Sequence, residues 1–340
     1  MNTEPMSTAP LGRSKVAVSR LGLGCASIGN LYKEIDDATA TAAVDAAWDA
    51  GIRYFDTAPH YGLGLSERRL GAALRQRPRT EYVLSTKVGR LLEPNPDGAG
   101  RQDDQGFAVP ATVRRRWDFT GDGVRRSLAE SLDRLGLDRV DVVLIHDPEE
   151  SDDLDVAVEQ AAPALVRLRA EGAVGAIGVG SKSWEALHRF VRETDIDAVM
   201  LAGRYTLLEQ PALDALLPDC AERDVSVLNV GVFNSGLLAV DRPHSGLTYE
   251  YTAAPTDLVA KAQAIADVCA RHGVSLPAAA LAFAAAHPCV ASVVMGASTA
   301  DHVRRNVSQF SADPPPAALW TDLVEAGLLR PDAPLPGGPA

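Results

Sequence analysis

A β-rich run, a polar or glycine-rich loop and a helix of about ten residues recur along this chain, and that alternation constrains its fold more than any other feature. The β-rich runs are SRLGLG near 19–24, IRYFD at 52–56, YVLST at 82–86, VDVVLI at 140–145, VGAIGVG at 174–180, DAVMLA at 197–202, VSVLNV at 225–230 and VASVVM at 290–295. Between them, apolar residues every three or four positions predict helices at 38–50, 66–74, 123–135, 161–171, 184–192, 256–271 and 300–308. Gly136, free to adopt positive φ, suits a helix C-terminus. Eight βα units with no Gly/Pro/Ser-rich linker predict one α/β domain over 1–340, a (β/α)8 TIM barrel. LGRSKVAVSR at 11–20 reads as an N-terminal β-hairpin, turning near Gly12 and Ser14, outside the repeat at the barrel bottom. Residues 1–14 and 331–340 are expected to be flexible. A doubly wound sheet would want GxGxxG after its first strand, and GLGCASIG at 22–29 lacks that spacing.

The composition narrows the function. A chain of 340 residues, 46% hydrophobic, can bury a large core. Thirty-three basic against 45 acidic residues leave a net charge of -12, which argues against nucleic acid or an anionic membrane as a partner. Cys25, Cys220, Cys269 and Cys289 are scattered without CxxC spacing and read as buried thiols in a reducing compartment. With no leader-like N-terminus and no long apolar stretch, a cytoplasmic location is expected. No HExxH, His/Cys cluster, GxSxG or GxxxxGK[ST] is present, so no metal site is expected and hydrolase and P-loop chemistry are disfavoured.

Ionisable groups stand at the ends of successive strands: Asp56 in RYFDTAPHYG with Tyr61 five residues on, Lys87 in YVLSTKVG, and His146 in VVLIHDPE. The C-terminal strand ends of a barrel converge on one mouth, so these four can meet there. Singly, each has a structural alternative: a turn cap, a packed ring, a surface lysine, a histidine bonded to backbone. Lys87 is hardest to dismiss, because a buried ammonium demands a carboxylate such as Asp56. Together they suggest proton transfer at an oxygen on carbon, with the ammonium drawing the Tyr61 phenol down into a useful range. His146 would orient the substrate oxygen or share its proton.

Such a site has no electron sink, so redox chemistry needs a hydride carrier. VVMGASTADHVRRNV at 293–307 offers a strand, a small-residue turn and a helix start bearing Arg304, Arg305 and Asn306, which suits a phosphate. Two long connections, 89–119 and 233–255, are read as loops on the catalytic face, where Trp117, Phe119, Tyr249 and Tyr251 would wall the substrate.

FDTAPHYG, STKVG, GVRRSLAESLDRLGLDRVDVVLIHDP, GAIGVGS and GASTADHVRRNV occur in that order, and across 15–310 the chain resembles the aldo-keto reductases. The resemblance implies that Asp56, Tyr61, Lys87 and His146 are a catalytic tetrad, with Tyr61 the proton donor or acceptor, and that NAD(P)H lies across the barrel mouth. The segment after Lys87, RYTLLEQ and FNSGLL resemble most the branch of bacterial sugar 1-dehydrogenases, L-fucose, D-arabinose or D-threo-aldose, with pyridoxal 4-dehydrogenase near it. That branch implies oxidation of a cyclic hemiacetal to a lactone, with an NADPH-dependent aldehyde or ketone reductase as the alternative. A non-catalytic binding barrel is the reading from a different class. The resemblance places cofactor contacts at Ser181, Gly296, Ala297, Ser298, His302, Arg304, Arg305 and Asn306. Ser181 and Ala202 stand where relatives carry a carboxamide-holding Asn and Gln, and Val230 where an aromatic stacks on the nicotinamide. Gly296 and His302 stand where relatives carry a lysine and an arginine for the 2′-phosphate, which favours NAD over NADP. The family includes monomers, dimers and larger rings, so a homo-oligomer is left open.

Overall fold

The computed structural model describes residues 6–250 and 252–337. Its strands are β1 (Thr8–Pro10), β2 (Ala17–Ser19), β3 (Leu21–Gly24), β4 (Tyr54–Asp56), β5 (Val83–Val88), β6 (Arg90–Pro94), β7 (Val113–Trp117), β8 (Val142–His146), β9 (Ala176–Ser181), β10 (Ala198–Ala202), β11 (Ser226–Val230), β12 (Thr248–Tyr249), β13 (Thr252–Ala253) and β14 (Val290–Gly296). Its α-helices are α1 (Asp37–Asp49), α2 (Leu65–Leu74), α3 (Gly121–Leu135), α4 (Leu154–Val156), α5 (Ala162–Ala170), α6 (Trp184–Glu193), α7 (Leu216–Glu222), α8 (Thr256–Arg271), α9 (Leu276–Ala284), α10 (Ala300–Phe310) and α11 (Ala317–Glu325).

Strands β3, β4, β5, β8, β9, β10, β11 and β14 pair in parallel and close into a barrel, the last joint being β14 against β3 with Gly296 opposite Gly24. This is the predicted (β/α)8 architecture, and all eight barrel strands fall on the β-rich runs. Short polar side chains cap five of the described helices: Asp36, Thr120, Ser183, Ser275 and Thr299 each accept a first-turn amide. Gly136 closes α3 at φ 61°, returning its N–H to the Leu132 and Asp133 carbonyls.

Two cores follow from the closure. Inside the barrel, Tyr54, Val142, Leu144, Ala176, Ala198, Met200, Leu228 and Val294 pack together, and Leu11 and Val18 of the hairpin region join them from below. Gly12, at φ 56°, lies so close to the Asp197 carbonyl that a Cβ would come within 2.2 Å of it, and its N–H donates to Ser226 Oγ at 2.7 Å. Asp197 and Ser226 mark the N-terminal ends of β10 and β11, so the hairpin plugs the bottom. The larger core lies between strands and helices.

The structure corrects several boundaries. The hairpin pairs β1 with β2, so it begins at Thr8, earlier than the 11–20 reading; its turn glycine is fixed by packing on Asp197 that local sequence does not carry. Thus residues 8–10, inside the stretch expected to be flexible, are a strand, and Ala333 near the other end is buried in the core. Residues 1–5 and 338–340 lie outside the described residues. The 89–119 connection is not a structureless loop: β6 and β7 form an antiparallel ribbon pairing Arg90 with Trp117 through Pro94 with Val113. The 233–255 connection holds the small β12–β13 hairpin. Helix α9, LPAAALAFA, went unread because it is apolar on every side and shows no period, being almost wholly buried. Helices α7 and α11 lie outside the stretches where periodicity predicts a helix.

Helices α2 and α3 meet at Gly71, where a Cβ would lie 2.0 Å from the Leu135 carbonyl oxygen. That contact admits no side chain. Gly71→Ala is therefore expected to destabilise the fold by about 1–3 kcal/mol despite alanine's better helix propensity, as read from urea or thermal melts.

Candidate active site

Parallel registry sets the heights of the site residues. Asp56 closes β4 opposite Ser85 of β5, and Lys87, two residues farther along β5, lies opposite Leu144 of β8, so His146 stands at the rim. Lys87 is 1% exposed and Asp56 3%. Each donor of the ammonium is satisfied: Nζ lies 2.6 Å from Asp56 Oδ2, 3.1 Å from the Thr57 carbonyl and 3.0 Å from Tyr61 Oη. Ser85 Oγ donates to the other Asp56 oxygen at 2.7 Å. The carboxylate is thereby bound on both sides, as a buried charge requires.

Tyr61 reaches this point from the turn after β4, where Gly62 at φ 61° packs against the Gly29 carbonyl so closely that a Cβ would come within 2.1 Å of it. The Tyr61 ring stands perpendicular to the His146 ring at 5.7 Å, and Phe107 covers its other side at 6.1 Å. All four strand-end groups thus meet at one mouth.

Electrostatics correct one expectation. Burial pushes the Tyr61 phenol up to about 12, outweighing the pull of Lys87, so the resting group is a protonated phenol rather than one drawn into the neutral range. Burial also works against the charge of Lys87, but Asp56 and Tyr61 more than offset it and its pKa is raised. His146 is driven well below its ordinary value by burial and by the Arg90 and Lys87 cations, so its imidazole is neutral.

A second cluster, not singled out from the sequence, adjoins the first. Arg90, the first residue of β6, donates to Asp147 Oδ2 at 2.6 Å and to Glu150 at 3.0 Å, and it lies 3.2 Å from His60 Nδ1. Its guanidinium sits 4.2 Å from the centre of the Trp117 ring. Asp147 Oδ2 is also 3.3 Å from His146 Nε2. An arginine after the KVG of β5 and an acid beside His146 were the available signals, but pairing them needs the β6–β7 ribbon.

The expected substrate wall divides. Trp117 covers Arg90 and stacks on Phe119 at 5.5 Å. Phe119 is buried against Gly89, where a Cβ would meet its ring at 2.2 Å, so it backs the wall instead of forming it. Tyr249 donates to Glu209 at 2.6 Å and receives Arg204 at 3.3 Å. It borders a cavity of about 570 Å³ at the strand-end face, with Glu149, Lys182, Trp184, Arg204 and Glu209 among its lining. Tyr251 lies outside the described residues.

Of the expected cofactor contacts, Ser181 ends β9 buried, donates to Glu149 and receives the Ser183 amide at 2.7 Å, so its hydroxyl is already engaged. Gly296 and Ala297 lead from β14 into the turn before α10. There Ser298 Oγ lies 3.3 Å from His302 Nδ1, and Asn306 donates to the Gly296 carbonyl at 3.5 Å. Arg304 pairs with Asp301 at 2.8 Å, whereas Arg305 makes no hydrogen bond or ion pair among the described residues. A helix N-terminus with one uncommitted arginine fits a nucleotide phosphate. Among the described residues no helix is long and apolar enough to cross a membrane, and no cluster suits a metal ion.

This arrangement has counterparts. The chain is 51% identical over 330 residues to a D-threo-aldose 1-dehydrogenase from a Pseudomonas species, covering 96% of this chain and 98% of that protein. It is 35% identical to a pyridoxal 4-dehydrogenase from Microbacterium luteolum, covering 97% and 100%. Among solved structures, the holo form of an aldo-keto reductase from Bacillus halodurans superimposes with a TM-score of 0.74 at 27% identity, over 94% of this chain and 96% of that one. The aldo/keto reductase family profile matches residues 20–324, and with the barrel and the strand-end site in place, the chain belongs to that family.

Proposed function

We propose that this protein oxidises the hemiacetal hydroxyl of an aldose to the lactone, with NAD in preference to NADP. Family membership carries NAD(P)-dependent oxidoreduction as the reaction class. The observation that carries the site assignment is the Lys87 ammonium, buried and shared between Asp56 and Tyr61 at the mouth where His146 faces the same ring. The substrate class rests on the relative named for an aldose 1-dehydrogenase.

In this reading Tyr61, in its deprotonated form, takes the C1 hydroxyl proton and becomes the phenol, and Lys87, held by Asp56, stabilises the phenolate that this step consumes. Neutral His146 orients the reacting oxygen by a hydrogen bond. The nicotinamide, when bound, supplies the hydride acceptor. The turn from Gly296 to Ser298 and the start of α10 would hold its phosphates, with Arg305 the available cation and Asn306 bracing the turn.

Two features support NAD. Arg304 is already paired with Asp301, and His302 faces Ser298, which leaves Arg305 to meet a 2′-phosphate by itself.

One observation favours a second reading. A phenol held up near 12 keeps its proton at neutral pH and is ready to donate it to a carbonyl oxygen, so the same residues suit aldehyde reduction. The sugar hydroxyl remains the preferred substrate, with a pyridoxal-like alcohol the next candidate because of the second relative.

Three outcomes are expected. Because oxidation uses the phenolate, kcat/KM should climb with pH from about pH 7 to about pH 10, with no limb from His146 near its ordinary value. Tyr61→Phe, whose ring still packs, should lose about 10²- to 10⁴-fold in kcat in initial-rate assays of L-fucose or D-arabinose; full activity would refute the assignment. Fluorescence titration should show tighter NAD+ than NADP+, and Arg305→Ala should weaken NADP+ by the larger factor.

A further inference from the structure

Asp147 stands at the strand ends between His146 and Arg90. It follows His146 directly, in a left-handed conformation at φ 41°, and its amide donates to the Gly180 carbonyl at 2.8 Å. That backbone geometry turns its carboxylate back toward His146, bringing Oδ2 to 3.3 Å from Nε2. His146 Nδ1 is buried without a partner, so Nε2 is the nitrogen available to a reacting oxygen, and Asp147 stands beside it.

The carboxylate is held at one end only. Oδ2 takes Arg90 at 2.6 Å, and Arg90 is itself 4% exposed under Trp117 and fastened to Glu150. Oδ1 accepts no hydrogen bond among the described residues, and the side chain keeps 19% exposure beside His146 at the strand ends. A rigid carboxylate with one oxygen committed and the other open is an acceptor for a neutral donor. Burial pushes its pKa up to about 7 in spite of Arg90, so a further donor would stabilise the charged form.

Geometry says which donor. In an aldose the C2 hydroxyl sits one carbon from the reacting C1 oxygen, within a hydrogen-bond length of it. A substrate whose C1 oxygen meets His146 Nε2 therefore brings its C2 hydroxyl to the neighbouring acid. We infer that Asp147 is a specificity residue that accepts the C2 hydroxyl of the sugar through its open oxygen, with Arg90 as the positioning residue that holds it. This rests on the proposed oxidation of an aldose at C1.

The test compares D-arabinose with its 2-deoxy counterpart in wild type, Asp147→Ala and Asp147→Asn, with thermal melts confirming that each variant folds. Wild type should prefer the 2-hydroxylated sugar. Asp147→Ala should raise KM for it about 10- to 100-fold with a smaller change in kcat, while KM for the 2-deoxy sugar stays near that of wild type, so the preference collapses. Asp147→Asn, which keeps an acceptor oxygen, should lie between. Equal losses on both sugars, or an unchanged preference, would overturn the inference. Calorimetric binding of the two sugars to the NAD+-loaded proteins separates this from the wider reading. A binding preference that Asp147→Ala removes supports Asp147 even where wild type turns neither sugar over, a result that would sink the oxidation reading alone; equal affinities would sink the inference.

Discussion

Everything at the mouth depends on one buried ammonium. Lys87 lies within a strand of a closed barrel, where water cannot solvate it, so its charge survives only because Asp56, the Thr57 carbonyl and Tyr61 occupy its three donors. The same bonds fix the ring of Tyr61 and the rotamer of Asp56. Ser85 completes the carboxylate, and the registry of β4 against β5 puts Ser85 at the right height. Losing Asp56 would leave an uncompensated charge inside the barrel, and losing a neutral partner would leave a buried polar group unpaired. A single requirement of electrostatics thus couples fold stability to site geometry.

That coupling has a consequence for the direction of proton transfer. The ammonium pulls the Tyr61 proton off, but burial of the phenol pushes back harder and leaves it protonated at rest. Lys87 is therefore a stabiliser of charge as it develops, rather than the source of a standing phenolate. Around it, burial together with the Arg90 and Lys87 cations keeps His146 neutral, while Arg90 anchors Asp147 and is in turn shielded by Trp117. The β6–β7 ribbon, by contributing both Arg90 and Trp117, makes the rim of the site as much as the strands make its floor.

Strongly periodic elements were legible in the sequence because each carries its own signal: all eight barrel strands, helices α1, α2, α3, α5, α6, α8 and α10, and the αL glycine after α3. Elements without a period were not. Helix α9 is apolar on every face, and the ribbon strands RLLEP and VRRRW show no alternation, their charges finding partners at a distance: Arg116 with Glu93 across the ribbon, and Arg115 with Asp103 in the loop that joins its strands. Phe119 read as a loop aromatic on the mouth, yet the positive-φ Gly89 lets its ring sink behind the wall. Ser181 stood at the expected place, but its hydroxyl is taken by Glu149, a partner 32 residues away.

The sequence by itself determined the (β/α)8 repeat, the four strand-end groups and the family, because local periodicity and short motifs are written residue by residue. Only the tertiary structure decided that Tyr61 rests protonated, that Arg90 holds Asp147 beside His146, and that Arg305 is left uncommitted near the cofactor turn. Those properties are set by burial and by distances between segments far apart in the chain. Both exist only once the barrel has closed.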